Sequence, residues 1–191
     1  MPFFVYLEFT DPKVREFLYS LRESINGVQD TKPIHITVRG PYDKQPDVES
    51  LSELNEEIRG YGVLIGGVGI FDIPSGFVVY LKVQSPQFNK IWWKPDYKIE
   101  EYGINPHITI YETSNKEAAQ IVEKFIRAER IEIFTFSSIL TVNMSKQNNL
   151  FETNINSILQ GKRTRSIERW SVRPGIIQRA KEVREKLTKF N

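Results

Sequence analysis

Ile34-His35-Ile36-Thr37-Val38 and Asn105-Pro106-His107-Ile108-Thr109-Ile110-Tyr111 are the two stretches that decide how this chain is read. The protein has 2 histidines, and each opens the same His-Ile-Thr tripeptide. With the chain's own isoleucine and threonine content, that coincidence arises in roughly one shuffled sequence in tens of thousands, so the pair reads as a duplicated half-site. Both stretches are rich in β-branched residues, which favours strands. A period of two then places histidine and threonine on one face and the isoleucines on the other. Continued by the same period, the first row gains Arg39, a candidate bidentate donor to a second phosphate. The second gains Tyr111, placed to stack on a base or bond to the phosphate.

Working outward, Pro2 to Phe9 reads as a strand and Lys13 to Ile25 as a helix begun at Asp11-Pro12 and closed by Gly27. The first tripeptide strand spans 33–39, a helix follows at 47–59, and strands at 63–73 and 77–84 meet around Pro74-Ser75-Gly76, the first bent by its glycines. A short helix near 86–94 carries Trp92 and Trp93 as core and rim, and the second tripeptide strand is predicted over 106–112. Residues 115–128 form a helix, 131–144 alternate as one long strand or two shorter ones, and Pro174 to Phe190 form a last helix. The order predicts an α+β fold: two pseudo-symmetric lobes whose antiparallel sheets face a central cleft, with helices outside. Each lobe supplies one His-Ile-Thr strand, the two histidines 72 residues apart. The predicted division is a bilobal core over 1–144 and a basic C-terminal extension over 145–191, too poor in apolar residues to fold alone.

Composition narrows the chemistry. With 0 cysteines there is no disulfide, thiolate metal site or cysteine nucleophile, and a reducing, cytoplasmic setting is the expectation. Met1 to Thr10 carries Glu8 and no basic start, so it reads as a first strand rather than a signal peptide, and no apolar run has the length of a membrane span. A monomer without a membrane partner is expected. The net charge of +2 is unevenly placed: residues 1–144 hold 15 Lys/Arg against 20 Asp/Glu, whereas residues 145–191 hold 11 against 4. Lys162, Arg163, Arg165, Arg169 and Arg173 form one basic stretch. It is either a phosphate-binding surface or a solvated face packed on the acidic core.

Two histidines facing one cleft are the minimum set for cleaving a phosphodiester without a metal. A neutral imidazole takes a proton from the attacking oxygen, an imidazolium protonates the leaving one, and an ordinary pKa near 6.5 serves either role. Thr37 and Thr109 hydroxyls can donate to the non-bridging oxygens. Two histidines with no acidic residue in either tripeptide fall short of the usual three or four metal ligands, so no metal and no cofactor are expected.

The two motifs resemble those of the two-histidine phosphoesterase superfamily, which includes 2′-5′ RNA ligase-like proteins and 2′,3′-cyclic nucleotide phosphodiesterases. The likeness rests on Ile34-His35-Ile36-Thr37-Val38, on Asn105-Pro106-His107-Ile108-Thr109-Ile110 and on the order of elements across 1–144, including Gly69-Ile70-Phe71 and its hairpin partner. The resemblance implies that His35 and His107 are the acid–base pair and Thr37 and Thr109 the phosphate ligands. It also implies that His107, in the second motif, activates water while His35 acts as the acid. The expected function is hydrolysis of a 2′,3′-cyclic phosphate or 2′-5′ phosphodiester of RNA ends or a small nucleotide. Its rivals are a nuclease for cyclic or 2′-5′-linked oligonucleotide signals and a catalytically idle RNA-binding module. Residues 145–191 have no counterpart in the family pattern.

Overall fold

Capping and alternation account locally for most of the elements in the computed structural model, which describes residues 2–28, 33–58, 60–94, 99–136, 138–144 and 167–190. After strand β1 (Phe3–Phe9), the Asp11 carboxylate accepts from Lys13 N and Val14 N at 2.9 and 3.2 Å and opens helix α1 (Pro12–Asn26). Gly27 closes it by donating to Glu23 O at 2.8 Å. Strand β2 (His35–Tyr42), helix α2 (Val48–Ile58), strands β3 (Val63–Ile73) and β4 (Gly76–Gln84) and single-turn helices α3 (Phe88–Ile91) and α4 (Ile99–Tyr102) follow. Strand β5 (His107–Thr113) leads to helix α5 (Lys116–Glu129), capped by Asn115, then to β6 (Glu132–Thr135) and β7 (Ser138–Met144). Strand β8 (Arg169–Ser171), helix α6 (Ile176–Leu187) and a 3₁₀ turn (Thr188–Phe190) complete the described chain.

The strands form two antiparallel sheets, ordered β2-β1-β7 and β5-β4-β3-β6-β8, so the fold is α+β. The two histidine strands are edge strands, one of each sheet, and they approach to within 8 Å between Cα atoms. Residues 131–144 divide between the sheets, β6 pairing with β3 and β7 with β1. The expected bend in β3 is a register break between Ile65 and Val68, at Gly66-Gly67.

Val5, Leu7, Ile36 and Val38 of the first sheet belong to one buried cluster with Leu81, Ile108 and Ile110 of the second and with Leu18 and Leu21 of α1. Each such fully buried aliphatic side chain contributes about 1.5–3 kcal/mol. Residues 167–190 are built into the same core. β8 lengthens the second sheet, and α6 packs on α1 and α5 through Ile176, Ala180, Val183 and Leu187. Three residues are too few to show a period, which is why β8 is not legible in the sequence. Among the described residues no helix is long and apolar enough to cross a membrane.

Candidate active site

Each histidine is the first residue of its strand, and each is oriented in the same way. His35 Nδ1 donates to Pro33 O at 2.8 Å and His107 Nδ1 donates to Asn105 O at 2.8 Å. A carbonyl oxygen only accepts, so Nδ1 holds the proton in both rings, and in a neutral ring Nε2 is the nitrogen with the lone pair. Thr37 and Thr109 lie half-buried two residues on, and neither hydroxyl has a hydrogen-bond partner among the described residues.

The partner strands repeat as well. On β1, Glu8 stands opposite His35 and Tyr6 opposite Thr37; on β4, Lys82 stands opposite His107 and Tyr80 opposite Thr109. Tyr6-Leu7-Glu8 and Tyr80-Leu81-Lys82 are thus the ladder partners of the two His-Ile-Thr tripeptides. Sequence reasoning missed them, although a second duplicated tripeptide of the form Tyr-Leu-charged was there to be found.

The repeat includes a bulge. The next pairs in register are Val5 with Arg39 and Val79 with Tyr111, so Val38 and Ile110 are extra residues inserted just after each threonine. This breaks the period of two on which Arg39 and Tyr111 were assigned to the substrate. Tyr111 stands opposite the fully buried Val79 and lies in the core at 8% exposure. Arg39 stands opposite buried Val5, and its Nε donates to Ile91 O at 2.7 Å, holding the end of α3. Both residues leave the histidine row.

Within this shared frame the surroundings differ. The His35 ring lies on Tyr6, centroids 3.8 Å apart and planes within 20°. His107 meets the edge-on ring of Phe71 at 4.8 Å and Tyr80 at 5.1 Å. Burial pushes the His107 pKa below its usual 6.5; Lys94 pushes it the same way, and the bond to Asn105 O opposes them. Asn105 also donates from Nδ2 to Tyr80 Oη at 3.2 Å, so one residue orients both the catalytic candidate and its aromatic neighbour. On the other sheet, burial raises the Glu8 carboxyl pKa, against the bond it accepts from Thr141 and the attraction of Arg15.

Lys94 is a site residue that the sequence did not suggest, because its segment was assigned to a helix near 86–94. That helix ends at Ile91. Trp93 N donates to Val38 O and Gly40 N to Trp93 O, each at 3.0 Å, which draws residues 92–94 along the outer edge of β2. Trp93, 45% exposed, stacks on Tyr42 with centroids 4.9 Å apart.

The basic stretch is only partly described, since Lys162, Arg163 and Arg165 lie outside the described residues. Arg169 pairs with Glu132 at 2.7 Å and Arg173 donates to Ala128 O at 3.4 Å, contacts with the acidic core on the far side of the sheet from β5. A cavity of about 280 Å³ is lined by Gly67, Val68, Leu81, Ile126 and Arg130. It lies on the Leu81 face of β4, the reverse of the face that carries Tyr80 and Lys82. Among the described residues no group of three or more His, Cys, Asp or Glu side chains is placed to hold a metal. No family model, curated protein or solved structure matches the chain.

Proposed function

We propose that this protein is a phosphoesterase that hydrolyses a 2′,3′-cyclic phosphate or a 2′-5′ phosphodiester of RNA or a small nucleotide, using two histidines and no metal. The observation that carries the reading is the doubled ladder: two imidazoles presented in the same Nδ1–H tautomer, each with a threonine two residues on whose hydroxyl has no partner among the described residues. In this reading the two sheets are lobes facing a common cleft, with β2 and β5 at its floor.

The acid–base roles follow from the surroundings. Burial and Lys94 favour neutral His107, whose Nε2 lone pair takes the proton of the attacking water. His35, held by Pro33 O and stacked on Tyr6, is the second imidazole and takes the part of the acid. His35 then passes its Nε2 proton to the leaving ribose oxygen as the P–O bond breaks. Water adds across the phosphodiester, giving a phosphomonoester and a free hydroxyl. Thr37 and Thr109 donate to the non-bridging oxygens, where charge builds in the transition state.

The test is turnover of a panel of nucleoside 2′,3′-cyclic phosphates and 2′-5′ dinucleotides with chelator present. His35→Ala and His107→Ala should each lower the rate on the order of 10²–10⁴-fold with folding intact, and the rate–pH profile should be bell-shaped. Full activity in either variant overturns the mechanism. Loss of activity in EDTA that zinc or manganese restores points to a metal enzyme. Nucleotide binding without turnover points to an idle binding module.

A further inference from the structure

The two half-sites share Tyr-Leu-charged on one strand, His-Ile-Thr on the next and a bulge directly after the threonine. Against that common frame, one ladder position carries opposite charge: Glu8 opposite His35, Lys82 opposite His107. Directly paired residues on antiparallel strands hold their Cβ atoms about 5 Å apart, so each charged side chain is a neighbour of its histidine.

Lys82 is open to an incoming anion. It is exposed and makes no ion pair among the described residues. The neighbouring strand passes it with Gly66 and Gly67 at the register break, and the nearest approach of a Cβ built on Gly67 would be 3.7 Å, to Lys82 Cδ. No side chain therefore covers the lysine from that strand. Lys94 is a second cation near His107: its segment runs along the outer edge of β2, the strand that contacts β5, and its Nζ lies 5.8 Å from the Trp92 ring. On the His35 side the charged group is Glu8, half-buried and bonded to Thr141, which disfavours a second anion there.

We infer that the site is polar along the substrate: it takes a nucleotide bearing a second phosphate beyond the scissile one, and that phosphate lies on the His107 side, held by Lys82 and Lys94. The substrate is thus a 5′-phosphorylated nucleotide or the end of an oligonucleotide rather than a nucleoside with a lone cyclic phosphate. This rests on the phosphoesterase reading of the site, and its test separates the two.

The full-length protein is titrated calorimetrically with adenosine 2′,5′-bisphosphate and adenosine 2′-phosphate. One charge-assisted contact is expected to favour the bisphosphate by at least about 10-fold at low salt, and the preference should shrink as salt screens it. Lys82→Gln and Lys94→Gln should each cut that preference about 3- to 10-fold, and Lys82→Glu should abolish it. Equal affinity for the two compounds, or a preference that survives both glutamine changes, overturns the inference. Lysine-dependent bisphosphate preference without turnover of any cyclic phosphate keeps the polarity and removes the enzymatic reading. Turnover with no bisphosphate preference does the reverse.

Discussion

Tyr80 occupies the space that a side chain at Gly69 would need: a Cβ there would fall 2.5 Å from Tyr80 Cζ and 2.5 Å from its Oη. The ring is nearly buried, stacks on Phe71 at 4.2 Å and borders His107 at 5.1 Å. Gly69 therefore helps set the place of a catalytic candidate it does not touch.

Gly69→Ala should displace the Tyr80 ring, destabilise the protein by about 1–3 kcal/mol and lower kcat by more than the folding loss explains. Tyr80→Val in the same chain should relieve the clash. A double-mutant cycle by denaturation reads this as coupling, and strictly additive effects would show that ring and glycine are independent.

Removing either threonine hydroxyl should cost transition-state stabilisation without altering the strand. Thr37→Val and Thr109→Val keep shape and β-propensity, and each should lose about 2–4 kcal/mol in kcat/KM, with Thr→Ser milder. Wild-type kinetics in both valine variants would leave the threonines as strand formers only.

His107 should titrate below 6.5, so the acid limb of the rate–pH profile belongs there. Lys94→Gln removes one of the two influences holding its pKa down and should move that limb to higher pH, as read by NMR titration of the imidazole. Stability carries the same sign. Above pH 6.5 the ring is neutral folded or unfolded; between 6.5 and its lower folded value only the unfolded chain holds the proton, so stability is lost as pH is lowered through that window. His107→Gln should flatten this slope, and an unchanged slope would mean that burial of His107 does not govern it.

The C-terminal helix is tied down by one charged fork. Arg179 Nε and Nη2 donate to Glu129 Oε1 and Oε2 at 2.8 and 2.6 Å, and Glu129 is 3% exposed. The bond to Arg179 holds the Glu129 carboxyl below its usual 4.5. Its contribution is thus fully present above pH 4.5 and lost as pH falls through the folded pKa. Glu129→Gln should speed hydrogen exchange in α6 at neutral pH and should differ less from wild type in acid. Equal protection of α6 at pH 7 would show that its apolar face alone holds it.

The sequence by itself determined what depends on neighbours along the chain. Asp11, Pro12 and Gly27 delimit α1 through bonds within a turn, and alternation identifies β2 and β5 as strands presenting histidine and threonine together. Tertiary structure decided what depends on a partner strand. A period of two predicts facing only while pairing is unbroken, and the bulges after Thr37 and Thr109 turn Arg39 and Tyr111 from the histidine row. One bulge carbonyl, Ile110 O, accepts from Asn26 Nδ2 at 2.9 Å, 84 residues away in sequence. That distance also explains the rest: the assignment of β6 and β7 to different sheets, the drawing of Trp93 and Lys94 along β2, and the pairing of Tyr-Leu-charged with His-Ile-Thr. Each is a hydrogen-bond ladder between segments whose local patterns are complete without it, so only the folded chain selects the register.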